Sequence, residues 1–264
     1  MRTVLVTGAT GTLGRDLVPA LRAGGIDPLL LSRRPDPDPA RRTADLLTGS
    51  GLRDALAGVG TVLHLAAGRD QPRAARVLLD AAAAEGVDHL VFVSIVGVDR
   101  IPLSYYRAKR AAEQVVEDGP VPWTTLRAAQ FHQLVVGMFA AQRLSPVLLV
   151  PDIPLQPIDT RAVADRLVEL ATAAPAGRVD DLAGPEVRGL PALARAYQGH
   201  TGSRRPVAPV RVPGRAFAAF RAGHQLAKDS PAGGRTFEEF LADTVPGPGD
   251  PGDGRPSARR GAGR

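Results

Sequence analysis

Apolar residues in the first half of the chain fall into short unbroken runs rather than alternating ones. "TVLVT" (Thr3–Thr7), "LLLS" (Leu29–Ser32), "TVLHLA" (Thr61–Ala66), "LVFVS" (Leu90–Ser94) and "TTLR" (Thr124–Arg127) are rich in leucine or β-branched residues, as expected of strands buried on both faces. Between them, Leu13–Ala23, Gln71–Glu85 and Tyr105–Glu117 read as amphipathic, alanine-rich helices. This alternation predicts a doubly wound α/β fold, a parallel sheet covered by helices. Beyond Arg127 the strand signal weakens and prolines gather in "SPVLLVPDIPLQPID", although helices remain expected at Thr160–Ala173 and Leu190–Gln198. Residues 1–245 are therefore expected to form one domain, a core over residues 1–127 and a smaller C-terminal lobe over 128–245 that closes a cleft. From Pro246 onward ten of nineteen residues are glycine or proline, which predicts a disordered tail over 246–264.

Composition narrows the function classes. A chain of 264 residues that is 44% apolar fills a substantial core without cross-links, and it contains no cysteine. Disulfides, thiolate metal sites and a cysteine nucleophile are thereby excluded, and the five histidines show no metal-ligand spacing, so no metal is expected. No apolar stretch approaches the roughly 20 residues of a membrane span, and the start "MRTVLVTG" is unlike a signal peptide, which predicts a cytoplasmic protein without a membrane partner. The net charge of +6 is dispersed apart from the arginine-rich tail, and aromatic residues make up only 4%, so a nucleic-acid surface is not expected. A small-molecule substrate is the expected partner, and a homodimer is compatible with the sequence.

The candidate chemistry begins at "TGATGTLG". Gly8 ends the first strand, Gly11 opens the helix and Gly14 lies one turn inside it. The first glycine permits a tight turn, the second lets backbone N–H groups approach a phosphate, and the third allows close helix–strand packing. With Thr10, Thr12 and Leu13, these glycines are the expected pyrophosphate cradle of a dinucleotide at the helix N-terminus. The second strand ends in Ser32, Arg33 and Arg34 where an acidic residue would select NAD, so a hydroxyl and two guanidinium groups predict NADP(H) in preference to NAD(H). Solvated loop charges are the alternative for both arginines.

The GxxGxxG spacing, with threonine before its first glycine, resembles the short-chain dehydrogenase/reductase superfamily. "LVFVSIVGVDRIPLSYYRAKRAAEQVVEDGPVPWTTLRAAQFHQL", "PIDTRAVADRLVELA" and "GGRTFEEFLA" are similar to its atypical, NmrA-like group, so the likeness covers nearly all of residues 1–245. The resemblance implies that Asp45 and Leu46 border the adenine and that Leu65, Ala66 and Ala67 pass the adenosine ribose and pyrophosphate. It also implies that Tyr105 and Lys109, spaced Y-x-x-x-K, are the catalytic pair, Lys109 holding the nicotinamide ribose as well. Four residues apart on a helix they share one face, where the ammonium is expected to lower the phenol's pKa; an ordinary surface pair is the bland alternative. The chain departs from the family at the strand end, where Ser94 is followed by Ile95, Val96 and Gly97, leaving Ser94 as the nearby hydroxyl, either an orienter of substrate or a strand cap. Gln130, Phe131 and His132 are expected to line the substrate cleft, with a surface position at a helix start the blander expectation for His132.

The leading expectation is an NADPH-dependent reductase of a small organic substrate. Its rival is a catalytically silent NADP(H)-binding regulator or assembly protein, because the NmrA-like group contains both kinds.

Overall fold

The structure, a computed structural model, describes residues 3–68, 70–227 and 233–247. Its centre is a seven-stranded parallel sheet made from β1 (Thr3–Thr7), β2 (Leu29–Ser32), β3 (Arg41–Thr43), β4 (Val59–His64), β5 (His89–Ile95), β6 (Trp123–Ala128) and β9 (Gly177–Arg178). They lie in the order β3-β2-β1-β4-β5-β6-β9, so the chain reverses direction of growth beside β1. The unbroken apolar runs have the expected cause. Val4 and Val6 of β1 face a core with Leu13 and Leu17 of α1 (Thr12–Ala23) and Val163 and Leu167 of α6 (Thr160–Thr172). Leu5 between them faces the opposite core, built with α2 (Leu52–Leu56), α3 (Gln71–Ala84) and α4 (Ser104–Glu117).

A third apolar cluster forms the lobe. It joins Val98 and Tyr106 to Val135 and Phe139 of α5 (His132–Ala140), Leu193 of α7 (Leu190–Thr201), Phe220 of α8 (Arg215–Arg221) and Phe240 of α9 (Phe237–Thr244). Two small sheets tie it together: β7 (Leu148–Pro151) pairs in parallel with β11 (Val207–Val210), and β8 (Pro154–Leu155) pairs antiparallel with β10 (Arg188–Gly189). The strands expected from the apolar runs appear within two residues of their ends, and the helices begin within one residue of theirs. The structure adds β3, α2, α5, α8, α9 and the lobe's short strands. Most of the tail, from residue 248, lies outside the described residues.

Candidate functional site

Gly8 leaves β1 with φ +75°, and a Cβ there would stand 2.9 Å from the amide nitrogen of Ala66, where the chain leaves β4. A Cβ on Gly14 would lie 2.5 Å from the carbonyl atoms of Ala9 and from the Gly8 oxygen, so the turn closes onto the first helical turn only because both side chains are missing. Gly11 is the N-cap of α1 and supplies no side-chain acceptor, and the first turn holds no acidic residue. The first helix amides, at Thr12 and Leu13, thus receive no acceptor from a capping side chain, the arrangement suited to an anion. Leu13 itself turns its side chain into the core, and Thr10 is exposed on the loop. Leu65, Ala66 and Ala67 run alongside Gly8, fixed by the Leu65 amide donating to the Thr7 carbonyl (3.2 Å) and the Ala66 amide donating to Thr7 Oγ1 (3.3 Å).

At the end of β2, Ser32 Oγ accepts from the Arg34 amide at 3.1 Å. Arg33 and Arg34 are exposed, and neither guanidinium has an ion-pair partner among the described residues. Asp45 Oδ1 accepts from the Leu47 and Thr48 amides (2.7 and 3.1 Å), and these bonds, aided by Arg33 and Arg73, hold its carboxyl below the usual range. Asp45 therefore shapes the turn that carries Leu46.

The helix α4 carries both Tyr105 and Lys109. Lys109 is 4% exposed, with its ammonium 4.7 Å from the centroid of the Phe92 ring and without a hydrogen-bond acceptor among the described residues. Burial lowers its pKa to about 8, against an opposing pull from Glu113. Tyr105, one turn nearer the helix start, is 47% exposed. The expected lowering of its phenol pKa does not occur: burial raises it, and a phenol so placed stays protonated. Its neighbour Tyr106 is buried against Phe220, edge to face, and its hydroxyl accepts from Gln130 Nε2 at 3.0 Å. Ser94 is buried at the end of β5 with Oγ unpartnered among the described residues.

Gln130 reaches this neighbourhood through Tyr106, and Phe131 pairs with Ile158 beneath the lobe. His132 corrects the surface expectation: it is 1% exposed, stacked on Phe240 at 5.0 Å and bonded through Nε2 to the Arg235 carbonyl. The reason is α9, more than a hundred residues away, which folds Phe237 and Phe240 over the start of α5. The sequence reading missed four residues around Lys109. His64 shares a 2.8 Å hydrogen bond with Thr7 through Nδ1, stacks on Phe92 and is held neutral by burial, with a pKa of about 3. Glu113 and Arg127 form a buried ion pair. The available signal was one ionisable residue in each buried strand, His64 in β4 and Arg127 in β6.

These residues fit a dinucleotide. A cradle that any side chain would fill, an uncapped helix N-terminus and a buried ammonium lacking an acceptor are the complements of a pyrophosphate and a ribose. No described helix is long and apolar enough to cross a membrane. A family model described as NAD(P)H-binding matches residues 8–145. The (4-alkanoyl-5-oxo-2,5-dihydrofuran-3-yl)methyl phosphate reductase of Streptomyces griseus is 34% identical over 195 residues, which is 69% of this chain and 68% of that protein. A photosystem II assembly factor of Cyanophora paradoxa is 26% identical over 161 residues, 52% of this chain and 48% of its own length. Among solved structures, an NADPH-dependent quinone oxidoreductase from Escherichia coli, complexed with NADPH, superposes with a TM-score of 0.76 at 20% identity, covering 91% of this chain and 99% of that one.

Proposed function

Given that the chain belongs to the NAD(P)H-binding family, we propose that it is an NADPH-dependent reductase of a small organic substrate. The observation that carries this reading is the buried Lys109 side chain, its ammonium without an acceptor among the described residues, one helical turn from a half-exposed, protonated Tyr105. NADPH, when bound, supplies the hydride. Thr12 and Leu13 present their amides to the pyrophosphate, and Lys109 donates to the nicotinamide ribose hydroxyls. Tyr105 gives its phenolic proton to the oxygen that gains charge on the substrate, and Ser94 Oγ steadies that oxygen. Gln130 and Phe131 border the substrate, while His132 supports them from beneath.

The test is NADPH consumption with a panel of carbonyl, quinone and azo compounds. Turnover of one of them is the expected result. Tight NADPH binding without turnover of any would support the second reading, a silent NADP(H)-binding assembly protein, which the assembly-factor relative and Ile95 at the strand end favour.

Cofactor choice gives a separate expectation. Neither the Arg33 nor the Arg34 guanidinium has an ion-pair partner among the described residues, so charge-assisted bonds to a 2′-phosphate should favour NADP(H) over NAD(H) by at least about tenfold, corresponding to about 1.5–3 kcal/mol. Titration of both cofactors against the wild type and an Arg33→Ala/Arg34→Ala variant measures this. Equal affinities, or no loss of selectivity in the variant, would remove the phosphate clamp.

A further inference from the structure

The charges packed behind Lys109 deepen the cofactor reading, on which their consequence for binding rests. Glu113, one turn along α4, is fully buried. Its Oε1 accepts from Arg127 Nε at 2.9 Å, and its Oε2 accepts from Arg127 NH2 at 2.8 Å and Arg110 NH1 at 3.0 Å. Arg127 also pairs with Asp99 at 3.3 Å, and Arg110 with Glu117 at 2.7 Å. A buried ion cluster of this kind is a poor source of stability, since well-packed apolar residues do as well or better. Its place beside Lys109 gives it another use.

Among the described residues, few groups act on Lys109. From β4 comes His64, which is neutral, and from β5 comes Phe92, which carries no charge; Arg127 of β6, opposite Ser94 in register, reaches Lys109 only through its pair with Glu113. Along α3, which packs on α4, Arg73, Arg76 and Asp80 are exposed. On α4 itself Tyr105 is protonated and Glu113 is the carboxylate that acts on Lys109. We propose that Glu113 keeps the buried Lys109 ammonium charged, ready to donate to a dinucleotide ribose, and that Arg127 sets how much of that carboxylate Lys109 receives. Both are positioning residues, acting through Lys109 without touching cofactor or substrate.

The composition makes the test direct, because Lys109 and Lys228 are the only lysines. Protein labelled with carbon-13 at the lysine ε-position gives two signals, assigned with a Lys228→Arg variant and followed against pH without cofactor. Glu113→Gln is expected to move the Lys109 midpoint down by about one unit or more, as loss of a close opposite charge does. Arg127→Gln, which leaves the carboxylate to Arg110 alone, should move it up, and the double variant, which removes both members of the buried pair, should return close to wild type. The pH at which NADPH affinity falls should follow the same order. Midpoints that stay put, or that shift in one direction in both single variants, would overturn the proposal, since a merely structural role produces no opposed shifts. Should Glu113→Gln not fold, the other two variants decide: an upward shift in Arg127→Gln reversed in the double variant supports the proposal, and no upward shift overturns it. Opposed shifts in a protein that binds no NADPH would leave the charge control standing and overturn the cofactor reading instead.

Discussion

Tyr105→Phe is expected to lower kcat for a reduced substrate by about 10²–10⁴ while leaving folding and NADPH affinity intact, the usual loss when a general acid is removed. The ring keeps its edge contact with Tyr106, at 6.4 Å between centroids, and only the hydroxyl goes. A phenol is protonated at neutral pH and partial burial shifts this one further that way, so the wild-type group is in the form that donates. Lys109→Ala should behave differently. On the proposed reading it removes the ribose donor together with a charge one helical turn from Tyr105, so NADPH affinity and kcat should both fall. Stopped-flow hydride transfer and cofactor titration on the two variants separate the effects. A Tyr105→Phe enzyme that reduces substrate at the wild-type rate would place the proton source elsewhere, with Ser94 the next hydroxyl to examine.

The second large effect is expected from a single methyl group. Gly14→Ala places a Cβ against the Ala9 carbonyl and the Gly8 oxygen, both backbone and both part of the cradle. The turn must open. Overpacking of this kind costs about 1–3 kcal/mol of stability, and displacement of the phosphate-facing amides should weaken NADPH binding by at least about tenfold, or ~1.4 kcal/mol. The same substitution at Gly137 is the control. That glycine lies inside α5 with open space around it and no positive φ, so Gly137→Ala should raise stability by about 0.4–1 kcal/mol through the unfolded chain's lost freedom. Thermal melts with and without NADPH read both changes, and a Gly14→Ala protein that binds NADPH normally would show that the cradle does not hold the pyrophosphate.

These two sites differ in how legible they were. The glycine turn could be read from spacing because its physics is local: three missing side chains within seven residues, at the end of an apolar run. The position of Lys109 was equally local, one helical turn from Tyr105. Its surroundings were not, because His64, Phe92 and Arg127 arrive from three separate strands and are brought together only by the sheet register. The phenol's raised pKa escaped for the same reason, since it reflects burial and spacing carries no information on burial. His132 shows the longest reach, its burial being set by α9. In α5 the run "HQLVVGMFA" lacks a polar face, so it has no helical period to detect. The strands β8, β9 and β10 are two residues each, shorter than any pattern.

The lobe's pairings have a consequence for the continuity of the chain. Residues 173–176, between α6 and β9, are exposed. A backbone cut there leaves β6, β7 and β8 on one fragment and their partners β9, β11 and β10 on the other. The lobe's apolar cluster would be shared in the same way, Val135 and Phe139 coming from one piece and Leu193, Phe220 and Phe240 from the other. Three strand pairings and one core would thus span the break, so the two pieces would hold each other in place after a protease nick. The peptide bond there could be dispensed with, and the molecule made as two separately expressed halves that find one another.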